Sequence, residues 1–292
     1  MIDRFGNKIK PPTGKDADPA YLKAEIKFIW KGYQKDPTDV KAELLSVKGE
    51  RLAVRLNKSL TVRSDLALLE ELITALAAHC VHTKNRNISW YMAWLCRDLY
   101  ATKSITSVHS TSGMDYLAMS CYFFEYYEKV EPTNQGRNLL VNTYCACAAR
   151  LLEAKDPEKD QQALEFLEKA RACEQKIAPE YSRNSRYNIS EALYDRLCHV
   201  YTRMEKWQES YDALLMAVHY AWKKVEQTKD RLSVNNLSNR CYQCITHLLY
   251  DREADPIRLA EAVALLEDFY GKNPLLTKPL SYRGLKKYLS ES

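Results

Sequence analysis

The segment Ser190–Ala221, SEALYDRLCHVYTRMEKWQESYDALLMAVHYA, constrains the fold of this chain most. Its apolar residues recur at three- and four-residue intervals on both sides of a short polar break at Glu205-Lys206. That period is the mark of two amphipathic helices joined by a tight turn. The rest of the sequence supports the same class. Only 8 Gly and 10 Pro occur in 292 residues, too few for the frequent turns of a β-rich fold. The hydrophobic share is 46%, including 20 Tyr, so a substantial core can be built. An all-α fold follows.

Residues 1–18 carry Pro11, Pro12 and Gly14 with little apolar periodicity, and read as an irregular arm. Pro19 suits the first turn of a helix, where its missing N–H costs nothing. From there to about residue 35, Tyr21, Leu22, Ile26, Ile29, Trp30 and Tyr33 form one apolar face. Residues 38–63 admit two readings. Val40, Leu44, Val47 and Val54 fit a helix that Gly49 weakens, whereas alternation at Leu52, Val54, Leu56, Leu60 and Val62 fits a hairpin around Asn57-Lys58. The helix is preferred, since nothing else in the chain would pair with isolated strands. Ser64 caps a further helix, Asn87 starts an aromatic-rich one (Trp90, Tyr91, Trp94), and 103–113 reads as an internal loop or hinge. Met114–Val130 is a very apolar helix. After Pro132, helices are expected at about 137–154, 158–177, 188–204, 207–226, 234–250 and 256–271. These give a basic N-terminal helical region over 19–130 and a C-terminal array of three antiparallel pairs over 131–292.

The central pair resembles a tetratricopeptide unit. The matching residues are Tyr194, Leu197, Cys198 and Tyr201 on the first helix, Trp207 at the turn, then Ser210, Leu214 and Ala217 on the second. Cys198 and Ser210 replace the usual Gly and Ala, but both remain small enough for close helix approach. Tyr144, Cys147, Ala148 and Leu151 with Ala163, Leu167 and Ala170 echo the unit upstream. Tyr242, Ile245, Thr246 and Leu249 with Ala262, Leu266 and Phe269 echo it downstream. The three tyrosines stand 50 and 48 residues apart, where the familiar unit repeats at about 34. Longer intra-pair turns (Lys155–Gln161 and Asp251–Ile257) and longer connectors or helices must absorb the excess. The resemblance implies helix pairs stacked as a right-handed superhelix. It also implies a concave groove, lined by the first helix of each pair, that takes a peptide or a partner protein. Carried onto this sequence, the groove would display Asn142, Cys145 and Glu153, then Asp195, His199 and Arg203, then Arg240, Gln243 and His247. The Lys/Asn clamp of chaperone-binding members is not reproduced, so that specificity is not expected.

Charge is uneven. Residues 1–63 hold 14 Lys/Arg against 8 Asp/Glu, so the formal +5 is an N-terminal property. Lys23, Lys27, Lys31 and Lys35 recur every four residues along one helix face, with Lys41, Lys48, Arg51, Arg55, Lys58 and Arg63 extending the field. Such a stripe is either ordinary solvated surface or a face for nucleic-acid phosphate or an acidic protein. Two Cys/His groups, Cys241-x-x-Cys244-x-x-His247 and His79-Cys80-x-His82, invite a metal reading, but neither has a second cluster to complete a structural site. No metal or cofactor is expected. Gly14-Lys15 is followed by Asp16 and lacks the earlier Gly of a phosphate loop, and no nucleophile elbow, zincin or dinucleotide fingerprint occurs. The expectation is a non-catalytic scaffold or adaptor. A peptide-responsive regulator, an immunity-type or assembly protein, and a nucleic-acid module on the basic face remain as alternatives. No secretory leader and no apolar run of about 18 residues is visible, and the nine Cys lie within apolar helical patterns. A cytoplasmic location with reduced, buried thiols, and no membrane partner, is therefore expected.

Overall fold

The computed structural model describes residues 18–59, 63–106, 113–181 and 184–230, with individual helical positions between 232 and 271. Every regular element among these residues is an α-helix. They are α1 (Pro19–Lys35), α2 (Asp39–Ser59), α3 (Arg63–Thr83), α4 (Arg86–Thr106), α5 (Met114–Val130), α6 (Asn134–Leu152), α7 (Pro157–Glu174), α8 (Asn184–Arg203) and α9 (Trp207–Thr228). The chain divides into two compact units, residues 1–143 and 144–292, and the division falls inside α6.

In the first unit, α1 begins as its sequence dictates. The Asp18 carboxylate accepts from the Ala20 N–H at 2.8 Å, and Pro19 occupies the first turn. Residues 39–59 form a single helix, so the hairpin alternative does not apply to them; Leu60 and Val62 lie outside the described residues. Gly49 proves to be a packing position. A Cβ there would lie 3.3 Å from Leu95 Cδ2, 3.6 Å from Leu72 Cδ1 and 3.7 Å from Leu69 Cδ2. The missing side chain lets α2 press against α3 and α4, which outweighs glycine's poor helix propensity.

Two helix starts differ from expectation. α3 begins at Arg63, so Ser64 is inside its first turn. Asn85, not Asn87, caps α4: its side-chain oxygen accepts from the Ile88 N–H at 3.1 Å. Of the expected loop or hinge at 103–113, residues 103–106 belong to α4, and 107–112 lie outside the described residues. Gly113, at φ 89°, then supplies the left-handed backbone that starts α5. Buried serines bring α4 and α5 together, with Ser120 Oγ donating to the Ala93 carbonyl at 2.8 Å and Ser89 Oγ to that of Phe123. Trp90, Trp94 and Phe124 pack edge-to-face around them.

Residues Leu66–Thr83 of α3 are long and apolar enough, by length and composition, to cross a membrane, although only 28% of them are buried. The helix itself was expected; its sequence is not an uninterrupted apolar run, since Glu70 and Glu71 fall within it. Both carboxylates are engaged within the unit: Trp30 Nε1 donates to Glu71 at 3.2 Å, and the Tyr116 hydroxyl donates to Glu70.

In the second unit, Asp156 and Pro157 start α7 as a capped first turn. The turn between α6 and α7 is therefore only Glu153–Asp156, shorter than the expected Lys155–Gln161. The excess over a familiar repeat lies elsewhere, in the connector 175–183 and in helices of 20 and 22 residues for α8 and α9. Between α8 and α9 the chain turns through Glu205 at φ 58°. The Lys206 N–H donates to Tyr201 O at 2.9 Å and the Glu205 N–H to Thr202 O at 3.1 Å. This is a Schellman closure, which satisfies the last carbonyls of α8 and reverses the chain.

Candidate partner-binding face of the second unit

The α8/α9 pair is held where the small residues were expected to act. Ser210 is fully buried on α9, and its Oγ lies 3.4 Å from Cys198 Sγ and donates to the Cys198 carbonyl at 3.0 Å. Thr202 Oγ1 stands 2.7 Å from the same hydroxyl. Leu214 and Ala217 on α9 are buried as well, as are Leu193, Leu197 and Val200 on α8. With this side of α8 turned inward, Asp195 and His199 fall together on another face, four residues apart.

Arg240, in the helical segment that follows α9, is the centre of that face. Its Nε donates to Glu191 Oε1 at 3.0 Å, and its Nη1 donates to Asp195 Oδ1 and, at 2.8 Å, to Gln243 Oε1. Burial works against the Arg240 charge, and the carboxylates of Asp195 and Glu191 more than offset it, so its pKa rises. One turn along α8 from Asp195, the His199 side chain is exposed, as is Gln243. The result is a positioned row of a carboxylate, a guanidinium, an amide and an imidazole. Such groups suit hydrogen bonding to a peptide backbone or to polar side chains of both signs.

The other expected groove residues have different surroundings. Arg203 is committed to structure: its Nη1 donates to the Leu152 carbonyl at 2.8 Å, and its Nη2 lies 2.8 Å from the buried Asp160 carboxylate. The second contact is an ion pair without hydrogen-bond alignment. Cys145 is buried, not displayed, and burial pushes its thiol up to about 12. Asn142 is half-buried on α6 in the first unit, and Glu153 is exposed and paired with Arg150 at 2.9 Å. His247 lies outside the described residues. On the basic stripe, Lys27, Lys31 and Lys35 are exposed on α1, and Lys23 is half-buried.

One group escaped the sequence reading. Glu174, at the end of α7, is buried, and its carboxylate receives the hydroxyls of Tyr220 at 2.5 Å, Ser190 at 3.2 Å and Tyr194 at 3.5 Å. Arg186, itself buried, lies 4.0 Å away and donates to the carbonyls of Ala178, Pro179 and Tyr181. The Tyr194 and Tyr220 rings stack at 5.6 Å. Burial, with the Glu174 charge, raises Tyr194 to about 12 and raises Tyr220 further. Nothing in the lysine- and glutamate-rich sequence of α7 distinguishes Glu174 from its solvated neighbours. The only signal was indirect: the tyrosines that mark the repeat need partners for their buried hydroxyls.

Among the described residues, no three His, Cys, Asp or Glu side chains gather as a metal site would require. Cys241 is buried with its thiol raised to about 12, while Cys244 and His247 lie outside the described residues. His79 meets Asp39 at 2.9 Å instead of a cysteine. In comparisons with known proteins, no family model matches the chain, and neither a curated protein nor a solved structure does.

Proposed function

We propose that the protein is a non-catalytic helical-repeat adaptor, tetratricopeptide-like with a right-handed superhelix, that binds a peptide or partner protein on the first-helix face of its second unit. The observation that carries this reading is the Arg240 bridge. It ties the segment after α9 to Glu191 and Asp195 on α8 and holds exposed Gln243, with exposed His199 one turn along α8 from Asp195. A surface fixed in this way need not be ordered by its ligand, so binding loses little conformational entropy. The Cys198–Ser210 contact supports the family likeness, because it places small residues at the crossing of the two helices.

The test is selection of peptides from a random library on the immobilised full chain, followed by calorimetric titration. Selected peptides are expected to bind the parent protein and to lose about tenfold affinity or more to a His199→Ala/Gln243→Ala double variant. Because both side chains are exposed, that variant should keep its helicity and melting temperature. Failure to enrich any peptide, or full retention of affinity by the double variant, contradicts the assignment.

A further inference from the structure

The seam between α1 and α2 presents an exposed apolar strip bordered by lysines. Two rungs fix how the helices face each other: Lys41 Nζ donates to Gly32 O at 3.3 Å, and Lys48 Nζ pairs with Glu25 at 2.7 Å. Phe28 stands three residues after Glu25 and four before Gly32. Leu44 stands three after Lys41 and four before Lys48. Helix positions at these intervals share a face, so Phe28 and Leu44 both lie on the seam, between the rungs. Yet Phe28 is 81% exposed and Leu44 44%, and Val40, one turn away on α2, is 70% exposed. An exposed Phe grouped with two aliphatic side chains marks an interaction surface more often than a lone apolar residue does.

The surrounding charge selects the occupant. Lys27, Lys31 and Lys35 are exposed on α1 and make no ion pair among the described residues. Lys41 is neutralised by Asp36 at 2.8 Å, which leaves the positive field on the α1 side of the strip. At the other end stand Asp36, taken up by Lys41, and Asp39, which meets His79 at 2.9 Å. A helix carrying its own apolar stripe and acidic flanks matches both the apolar side chains and the lysines beside them.

We propose that this seam docks an acidic amphipathic helix of a partner protein. The partner's apolar side chains cover Phe28, Leu44 and Val40, and its carboxylates meet Lys27, Lys31 and Lys35. This surface is separate from the α8 face and does not depend on it.

The experiment uses the full chain and a fluorescein-labelled synthetic helix of roughly five turns, with Leu at i, i+3, i+4 and i+7 and Glu on its flanks. Controls are the same peptide with Lys for Glu, phosphatidylserine vesicles and a single-stranded oligonucleotide. Anisotropy should report saturable binding of the acidic peptide alone. Phe28→Ala and Leu44→Ala should each weaken it about tenfold. Lys27→Glu/Lys31→Glu should weaken it similarly and create binding of the lysine peptide. His199→Ala should leave it unchanged, which separates this outcome from that of the α8 face. No binding of the acidic peptide, affinity indifferent to Phe28 and to the charge reversal, or stronger binding to vesicles or oligonucleotide overturns the proposal. Matching circular-dichroism melts establish that the variants fold, as their exposed positions predict.

Discussion

Arg203 and His199 stand one turn apart on α8, and the sequence pattern gives them the same role. Their surroundings separate them. Arg203→Ala would leave the buried Asp160 carboxylate without its cation and the Leu152 carbonyl with only the longer bond from the Lys155 N–H, at 3.4 Å. A loss of about 2–3 kcal/mol of stability is expected in denaturant unfolding, below the fully buried case because the pair is partly solvated. His199→Ala should change stability by no more than about 0.5 kcal/mol. Equal effects would contradict the assignment of Arg203 to structure. The Glu174 cluster makes a second prediction at this scale. Tyr194 in that cluster, and Tyr201, which is buried nearby on α8 and donates to Glu168, are both held near 12, above the ordinary phenol value of 10. A folded-state pKa above the unfolded one contributes stability that is complete below pH 10 and is lost as pH rises from 10 towards 12. Stability should therefore fall over that window, and Tyr194→Phe should fall less steeply than the parent protein. Tyrosinate absorbance followed together with helicity is the measurement, and identical slopes would remove Tyr194 from the account.

At the scale of elements, helices were legible where capping and periodicity agreed. Asp18-Pro19 and Asp156-Pro157 start their helices with an acceptor side chain and a residue that needs no N–H partner. Gly49 was read as a weakness because sequence shows its propensity and not the leucines pressed against it. Ser64 and Asn87 are good capping residues that lie inside helices, since the first turn is set by tertiary packing as well as by local acceptors. Two substitutions test the α8/α9 pair. Glu205 occupies the left-handed region, so Glu205→Gly should relieve about 1 kcal/mol of backbone cost and raise the melting temperature. Ser210→Leu should do the reverse, costing about 2 kcal/mol or more, because the added volume meets Cys198 and Thr202. A Ser210→Leu protein as stable as the parent would mean that the crossing is looser than the contacts imply.

For the whole molecule, periodicity and scarce turn residues were enough to give an all-helical fold, because those properties need no knowledge of which helices touch. The division within α6 was not legible, since a helix crosses it without any break in pattern. The candidate face was legible in part. Asp195, Arg240 and Gln243 do come together, and His199 is exposed beside them. Glu191, which completes the Arg240 bridge, and the burial of Cys145 required three-dimensional packing to see. The most direct measurement of the central claim is hydrogen-exchange mass spectrometry of the full chain with and without a library-selected peptide. The account predicts new protection in α8 around Asp195–Arg203 and in the segment containing Arg240 and Gln243. Protection confined to other helices, with α8 exchanging as in the free protein, would contradict it.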